Sequence, residues 1–470
     1  MDILHVSAEC YPVAKAGGLG DVVGALPKYT NDLGHSARVV MPMYRTKFLY
    51  ANEWEVVHKG YTNMGNWWFE FTIIREKTNK LGFELYLVDI NGLLDREKVY
   101  GYSDDTERFT AFQICVLDWL NSWSIKPDVI HVHDHQAALI PFMVKHCRKY
   151  TGLSHVPTVL TIHNAQYQGW MPWSRSILIP QWDMWKWGML DWNNTINPLA
   201  SGIKCANKVT TVSPSYLREL KYMSNGLEAL FEYEKGKCVG ILNGIDDKVW
   251  DPGHDEYIEN HFSISDIEAG KAKNKMLLCD QFNLDFDKPL IGFIGRLVGE
   301  KGADLLPRVI SDSFYFLGRR MNFLVLGSGF PEVEAGLAAL KPISQTDYNV
   351  YIGYNEALSH VMYAGLDFLL MPSRVEPCGL NQMYAMRYGT VPMVRRTGGL
   401  IDTVKDFGDP GGYGICYNQT SVPDITHSVW RAAELYHDKE KMKLIRHHMM
   451  KLDFSWESSV QHYINVYESL

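Results

Sequence analysis

The chain has 470 residues, of which 46% are hydrophobic and 21% charged, and it carries a formal net charge of −8. That length exceeds one ordinary core and implies two domains of roughly 200 residues each, while the acidic balance excludes a general polyanion-binding surface, so nucleic acid is not an expected partner. Eight cysteines without a Cys-x-x-Cys pair suit free thiols in a reducing compartment; no run approaches the roughly 18 apolar residues of a membrane span, and the N-terminus reads as a strand, not a signal peptide. A cytoplasmic enzyme without a membrane partner is the expectation.

In chain order, apolar runs predict strands at 3–7, 37–41, 69–74, 83–88, 129–132, 158–162 and 208–212. Leu19, Val22, Val23, Leu26 and Leu33 follow a helical period after the first strand, with Pro27 inside it. An interior proline costs about 3 kcal/mol, so a kink or an early end is expected there. Lys15-Ala16-Gly17-Gly18-Leu19-Gly20-Asp21 opens that helix. Glycines at this turn let a ligand approach the backbone, and Lys15 adds a point charge, although a tight turn alone would also demand glycine.

His131-Val132-His133-Asp134-His135 closes the strand near 130. Its spacing matches no zinc pattern, so no metal is expected, and Asp134 is favoured as a strand-end polar residue. His163-Asn164 ends the next strand and could bond sugar hydroxyls, or could be structural. Trp170, Trp173, Trp182, Trp185, Trp187 and Trp192 crowd one window with Tyr167. Each indole singly is read as core more than as a sugar platform, with some surface share for the set.

The Asn-Gly and Asp-Pro signals of segment 240–252 mark the inter-domain boundary. Strands then restart at 290–294, 323–326, 350–352, 368–371, 391–394 and 414–416. Strand–helix alternation in both halves predicts an α/β fold with two doubly wound parallel sheets. Gly295-Arg296…Lys301-Gly302 ends the first strand of the second half, where open α/β sheets bind ligands; two cations there would stabilise a diphosphate leaving group. Gly327 closes the following strand and Tyr354 follows the one after, positions suited to a nucleotide but also to plain turns and packing. Glu376-Pro377-Cys378-Gly379-Leu380-Asn381-Gln382 links a strand to a helix, a turn whose backbone N–H groups attract phosphate while its carboxylate accepts sugar hydroxyls. In the tail, Trp456, Val460, Tyr463, Ile464 and Tyr467 form one helical face after the candidate cap Ser455.

Together, the stretches Lys15 to Asp21, His133-Asp134, Ile162-His163-Asn164-Ala165, Gly240-Ile-Leu-Asn-Gly-Ile, Gly295-Arg296…Lys301-Gly302, Pro372-Ser-Arg-Val-Glu-Pro-Cys-Gly-Leu380 and Arg395-Arg396-Thr397-Gly398-Gly399-Leu400 resemble bacterial glycogen synthases and plant starch synthases, retaining glycosyltransferases of the GT-B fold. The resemblance covers essentially the whole chain. It implies a Rossmann-like acceptor-side domain at 1–245, a nucleotide-sugar domain at 246–452, a cleft between them, and a helix at 453–470 returning to the first domain. It implies transfer of glucose from a nucleotide sugar, ADP-glucose above UDP-glucose, to the nonreducing end of an α-1,4-glucan with retention, without a cofactor. Catalytic roles would fall to Glu376, Arg296, Lys301, His163 and Asp21. Donor contacts would come from Lys15, Gly18, Arg296, Lys301, Gly327, Tyr354, Cys378, Gly379 and Leu380, and acceptor contacts from Asp134 and Asn164. Departures from the family's habit are Ala16 for threonine, Gly20 for alanine, His135 for tryptophan and Asn381 for threonine. Another retaining GT-B transferase or a non-catalytic glucan-binding protein are the rival readings.

Overall fold

The computed structural model describes residues 1–344 and 346–470. The chain divides into two compact units, Met1–Gly244 with Trp456–Leu470, and Ile245–Ser455.

The first unit is built on a nine-stranded sheet of β1 (Asp2–Val6), β2 (Ser36–Pro42), β3 (Trp54–Met64), β4 (Trp67–Glu76), β5 (Glu84–Asp89), β6 (Val129–His133), β7 (Thr158–Ile162), β10 (Lys208–Thr211) and β11 (Cys238–Gly240); β8 (Asp191–Trp192) and β9 (Thr195–Ile196) form a separate ribbon. The order is β11-β10-β7-β6-β1-β2-β5-β4-β3. All neighbours pair in parallel except β5–β4 and β4–β3. The central β6 and β7 are buried throughout, as strands covered on both faces must be. The antiparallel β3 was not expected. Its side chains are mostly half-exposed or exposed, so no clean apolar alternation marks it; pairing with β4 along its length holds it in place.

The first helix runs through Pro27, from Gly18 to Asp32, and does not end early. Proline removes the N–H that would reach the carbonyl of Val23. The buried Cys10 thiol lies 3.7 Å from that carbonyl and donates to it instead. The helix Trp456–Glu468 packs on this unit: Trp456, Val460, Tyr463, Ile464 and Tyr467 are buried with Ile3, Val22, Leu26, Tyr29, Val129, Val159 and Ile241.

The second unit holds a six-stranded, wholly parallel sheet of β12 (Leu290–Ile294), β13 (Asn322–Gly327), β14 (Tyr348–Ile352), β15 (Phe368–Met371), β16 (Val391–Arg395) and β17 (Ile415–Tyr417), in the order β14-β13-β12-β15-β16-β17. Chain direction across the sheet reverses at β12, which lies between β13 and β15. Asp367, just ahead of β15, ties the two central strands together: it accepts from Leu290 N at 2.9 Å and pairs with Lys275 at 2.9 Å and Arg446 at 2.8 Å. All eight cysteines are free thiols.

Candidate functional site

The reversal at β12 brings two loops together at the carboxyl ends of the second unit's central strands, where open α/β sheets bind ligands. One is the turn after β12, from Gly295 to Gly302; the other follows β15, from Pro372 to Leu380. They are in close contact. Gly302 has φ +67°, and a Cβ there would lie 2.1 Å from Pro372 O, so only glycine allows the approach. Arg374 donates to Gly299 O at 2.6 Å and pairs with Asp304 at 2.6 Å.

Within this junction Lys301 Nζ donates to both carboxylate oxygens of Glu376, at 2.6 and 2.7 Å. Ser373 Oγ donates to Glu376 Oε2 at 2.8 Å. The carboxylate is therefore buried but fully partnered, as a buried charge must be. Gly399 N donates to Glu376 O at 3.1 Å, which fastens the loop to the turn after β16. Arg296 is different: its side chain is half-exposed and makes a 3.4 Å contact with Glu300. Gly379 has φ +76° and the helix begins two residues later, at Asn381, whose side chain donates to Ile294 O at 2.8 Å. Cys378 is buried, and a Cβ at Gly399 would lie 2.2 Å from its carbonyl oxygen. Gly327 has a packing reason for being glycine, since a Cβ there would lie 2.1 Å from Gly295 O. Tyr354 stands well exposed, its hydroxyl bonded to Glu356.

The first unit gathers a second set at the carboxyl ends of β1, β6 and β7. Lys15 pairs with Asp21 at 2.7 Å. Glu9 is a residue that sequence reading missed. Its Oε2 accepts from Ala16 N at 2.6 Å and Gly17 N at 2.9 Å, and its Oε1 from the Tyr100 hydroxyl at 2.7 Å. It holds the glycine turn from beneath; only its place just past the first strand could have signalled it. A Cβ at Gly17 or Gly18 would meet no heavy atom within 4 Å among the described residues, in contrast to Gly24, where it would lie 2.5 Å from Tyr11 O.

Asp134 sits at φ +54° just past β6 and accepts from His163 N at 2.7 Å and Asn164 N at 3.4 Å. Burial pushes its carboxyl up to about 7, against the pull of those two N–H donors. Burial likewise drives His163 and His5 down to about 3, so both imidazoles are neutral at physiological pH. His5, His131 and His133 bring ring nitrogens within 4.8 Å of one another, a spacing that could hold a metal ion. Every ring nitrogen of His131 and His133 is already hydrogen-bonded, to Tyr467, Thr161, His5 and His163.

Of the tryptophan-rich window, Trp182 is core, but Trp170, Trp185 and Trp187 are exposed, Trp185 by 90%. The leaning toward core for each indole is thus overturned at these three. The segment folds largely as short 3-10 turns, which bury few of their own side chains.

Comparison with known proteins returns the same chemistry for both units. The family described as starch synthase catalytic domain matches residues 2–233, and that described as glycosyl transferases group 1 matches residues 279–447. The chain is 54% identical over 467 residues to a glycogen synthase of Flavobacterium johnsoniae, covering 99% of this chain and 98% of that protein. It is 37% identical over 483 residues to a glycogen synthase of Streptococcus gordonii, covering all of both. Among solved structures it is similar to the catalytic domain of starch synthase IV from Arabidopsis thaliana bound to ADP and acarbose, with a TM-score of 0.89 at 31% identity, over 100% of this chain and 99% of that one.

Proposed function

The chain belongs to the glycogen and starch synthase family of GT-B glycosyltransferases and is a glucosyltransferase of glycogen synthesis; from that premise we propose that its donor is ADP-glucose and that Lys301, Arg296 and Glu376 carry the transfer. The observation behind this reading is the Lys301–Glu376 pair at the β12 reversal, with Arg296 in the same turn as Lys301.

An ammonium has three N–H donors and Glu376 takes two, so one remains for a phosphate oxygen. Arg296, half-exposed, brings a planar guanidinium that suits bidentate phosphate binding. As the glycosidic C–O bond breaks, negative charge builds on the departing diphosphate, and both cations stabilise it. Glu376 accepts hydroxyls of the transferred glucose and orients the ring, while Cys378, Gly379 and Leu380 offer backbone to sugar and phosphate. Gly327 and Tyr354 lie toward the nucleoside. Lys15 and Gly18 also meet the donor; the open space over Gly17 and Gly18 fits glycines kept for a ligand's approach. Asp21, Asp134, His163 and Asn164 serve the acceptor and the reacting carbon. The acceptor 4-hydroxyl attacks on the face the diphosphate leaves and gives its proton to a phosphate oxygen, which retains configuration without a protein nucleophile.

Support for the donor comes from the ADP held by the starch synthase relative and, for the glucan, from its acarbose. The test offers ADP-glucose and UDP-glucose separately with glycogen and measures the nucleotide released. ADP release well above UDP release supports the reading, and the reverse preference overturns the choice of donor. Release with simple sugars but not with glycogen would overturn the choice of acceptor.

A further inference from the structure

Three buried histidines form a continuous chain from the core of the first unit to the end of β7. His5 Nδ1 lies 3.1 Å from His133 Nε2, and His133 Nδ1 lies 3.1 Å from His163 Nε2. His5 and His133 are fully buried. At the inner end, His5 Nε2 has no hydrogen-bond partner among the described residues.

That orphan atom decides the direction of the chain. Each contact between two neutral imidazoles needs one N–H and one bare nitrogen, and each ring carries a single proton. Only two arrangements of the three rings satisfy both contacts. In one, His163 donates inward to His133 and His133 to His5, which leaves an unpartnered N–H on His5 inside the core. In the other, His5 donates outward to His133 and His133 to His163, which leaves only a bare nitrogen on His5. Orphaned buried donors are rarer than under-satisfied acceptors, so the second arrangement is the stable one. Burial keeps all three rings neutral.

We propose that His5 and His133 are positioning residues that fix the tautomer of His163, placing its proton on Nδ1 so that this nitrogen meets the substrate as a hydrogen-bond donor. A tautomer held from behind in this way is ready to donate to a sugar oxygen without reorganising during the reaction. His131 stands outside the chain, its ring nitrogens bonded to the Tyr467 hydroxyl at 2.7 Å and Thr161 Oγ1 at 2.6 Å. The inference rests on the proposed place of His163 beside the reacting sugar.

The test is long-range proton–nitrogen correlation NMR on the full-length protein with nitrogen-15 histidine, with the His163 signals identified by their loss in His163→Asn. The wild type is expected to show all three rings protonated on Nδ1. His5→Leu removes the inner donor and should release His163 into a tautomer mixture, with turnover falling roughly tenfold, a loss typical when the partner orienting a functional imidazole is removed. His5→Asn, whose amide nitrogen can reach the place of Nδ1, should restore both tautomer and rate. A wild-type His163 protonated on Nε2 overturns the inference whether or not any variant folds, as does a His163 tautomer unchanged by His5→Leu. Failure of the functional reading would show separately, as wild-type enzyme that releases no nucleotide from ADP-glucose with glycogen.

Discussion

Lys301 gives two N–H donors to Glu376, and in the proposed reading its third meets the donor's phosphate. Lys301→Ala should therefore cut turnover by about 100- to 1,000-fold, the range seen when one preorganised transition-state donor is lost. The protein should still fold but melt at a lower temperature, because the buried Glu376 carboxylate keeps only its Ser373 hydrogen bond. Steady-state rates alongside a circular dichroism melt check both halves of that statement. Asp134 yields a prediction of pH dependence. Its carboxyl is raised in the folded chain, from the ordinary 3.8 to about 7. A raised carboxyl favours folding while protonated, so its contribution is complete below the ordinary value and is lost as pH climbs through about 7. Asp134→Asn keeps an oxygen for the N–H groups of His163 and Asn164 and cannot ionise. The variant's melting temperature should gain on the wild type between about pH 4 and pH 7 and hold a constant lead above about pH 8; parallel curves between pH 4 and pH 7 would contradict the assignment.

Elements differ in how plainly the sequence declares them, and the reason is burial. The runs at β6, β7 and β15 are short, apolar and buried throughout, so their pattern survives without tertiary knowledge. β3 escapes notice because pairing, not a buried face, makes it a strand. Pro27 misleads because its cost is met by a thiol 17 residues earlier in the chain, a contact no local rule reports. The site divides in the same way. Lys301 and Glu376 stand out as charges at strand ends, but the Tyr100 contact of Glu9 and the linkage of His5 through His133 to His163 exist only once distant parts of the chain lie together. The tail helix carries a stripe whose partner its periodicity does not name and only the family resemblance supplied. Trp456 is 3% exposed and stacks near Tyr29 with ring centroids 6.5 Å apart. Trp456→Ala should cost about 3–5 kcal/mol, the usual penalty for a large buried aromatic, read as a lower urea midpoint for the transition that reports the first unit.

The chain makes its two units in different ways, and this has consequences for the whole molecule. Ile245–Ser455 is a continuous stretch with its own parallel sheet, whereas Met1–Gly244 is completed only by Trp456–Leu470 from the far end. The two crossings between units run side by side, since Ile245 N donates to Phe454 O at 2.8 Å and Ile245 bridges Ser455 in parallel. Residues 244 and 456 are therefore close enough for a linker of roughly four residues to join them. A fragment of residues 1–244 alone would expose Ile3, Val22, Leu26, Tyr29, Val129, Val159 and Ile241, which the tail helix normally covers, and should aggregate or melt broadly. Joining 1–244 to 456–470 through such a linker should restore a monomer with a cooperative melt on gel filtration and calorimetry. Residues 245–455 should fold without help and, because Arg296, Lys301 and Glu376 all lie within them, should raise their melting temperature on adding ADP while transferring no glucose. A second-unit fragment indifferent to ADP would mean that the cations after β12 do not by themselves make a phosphate site, and the weight of donor binding would move to Lys15 and the glycines beside it.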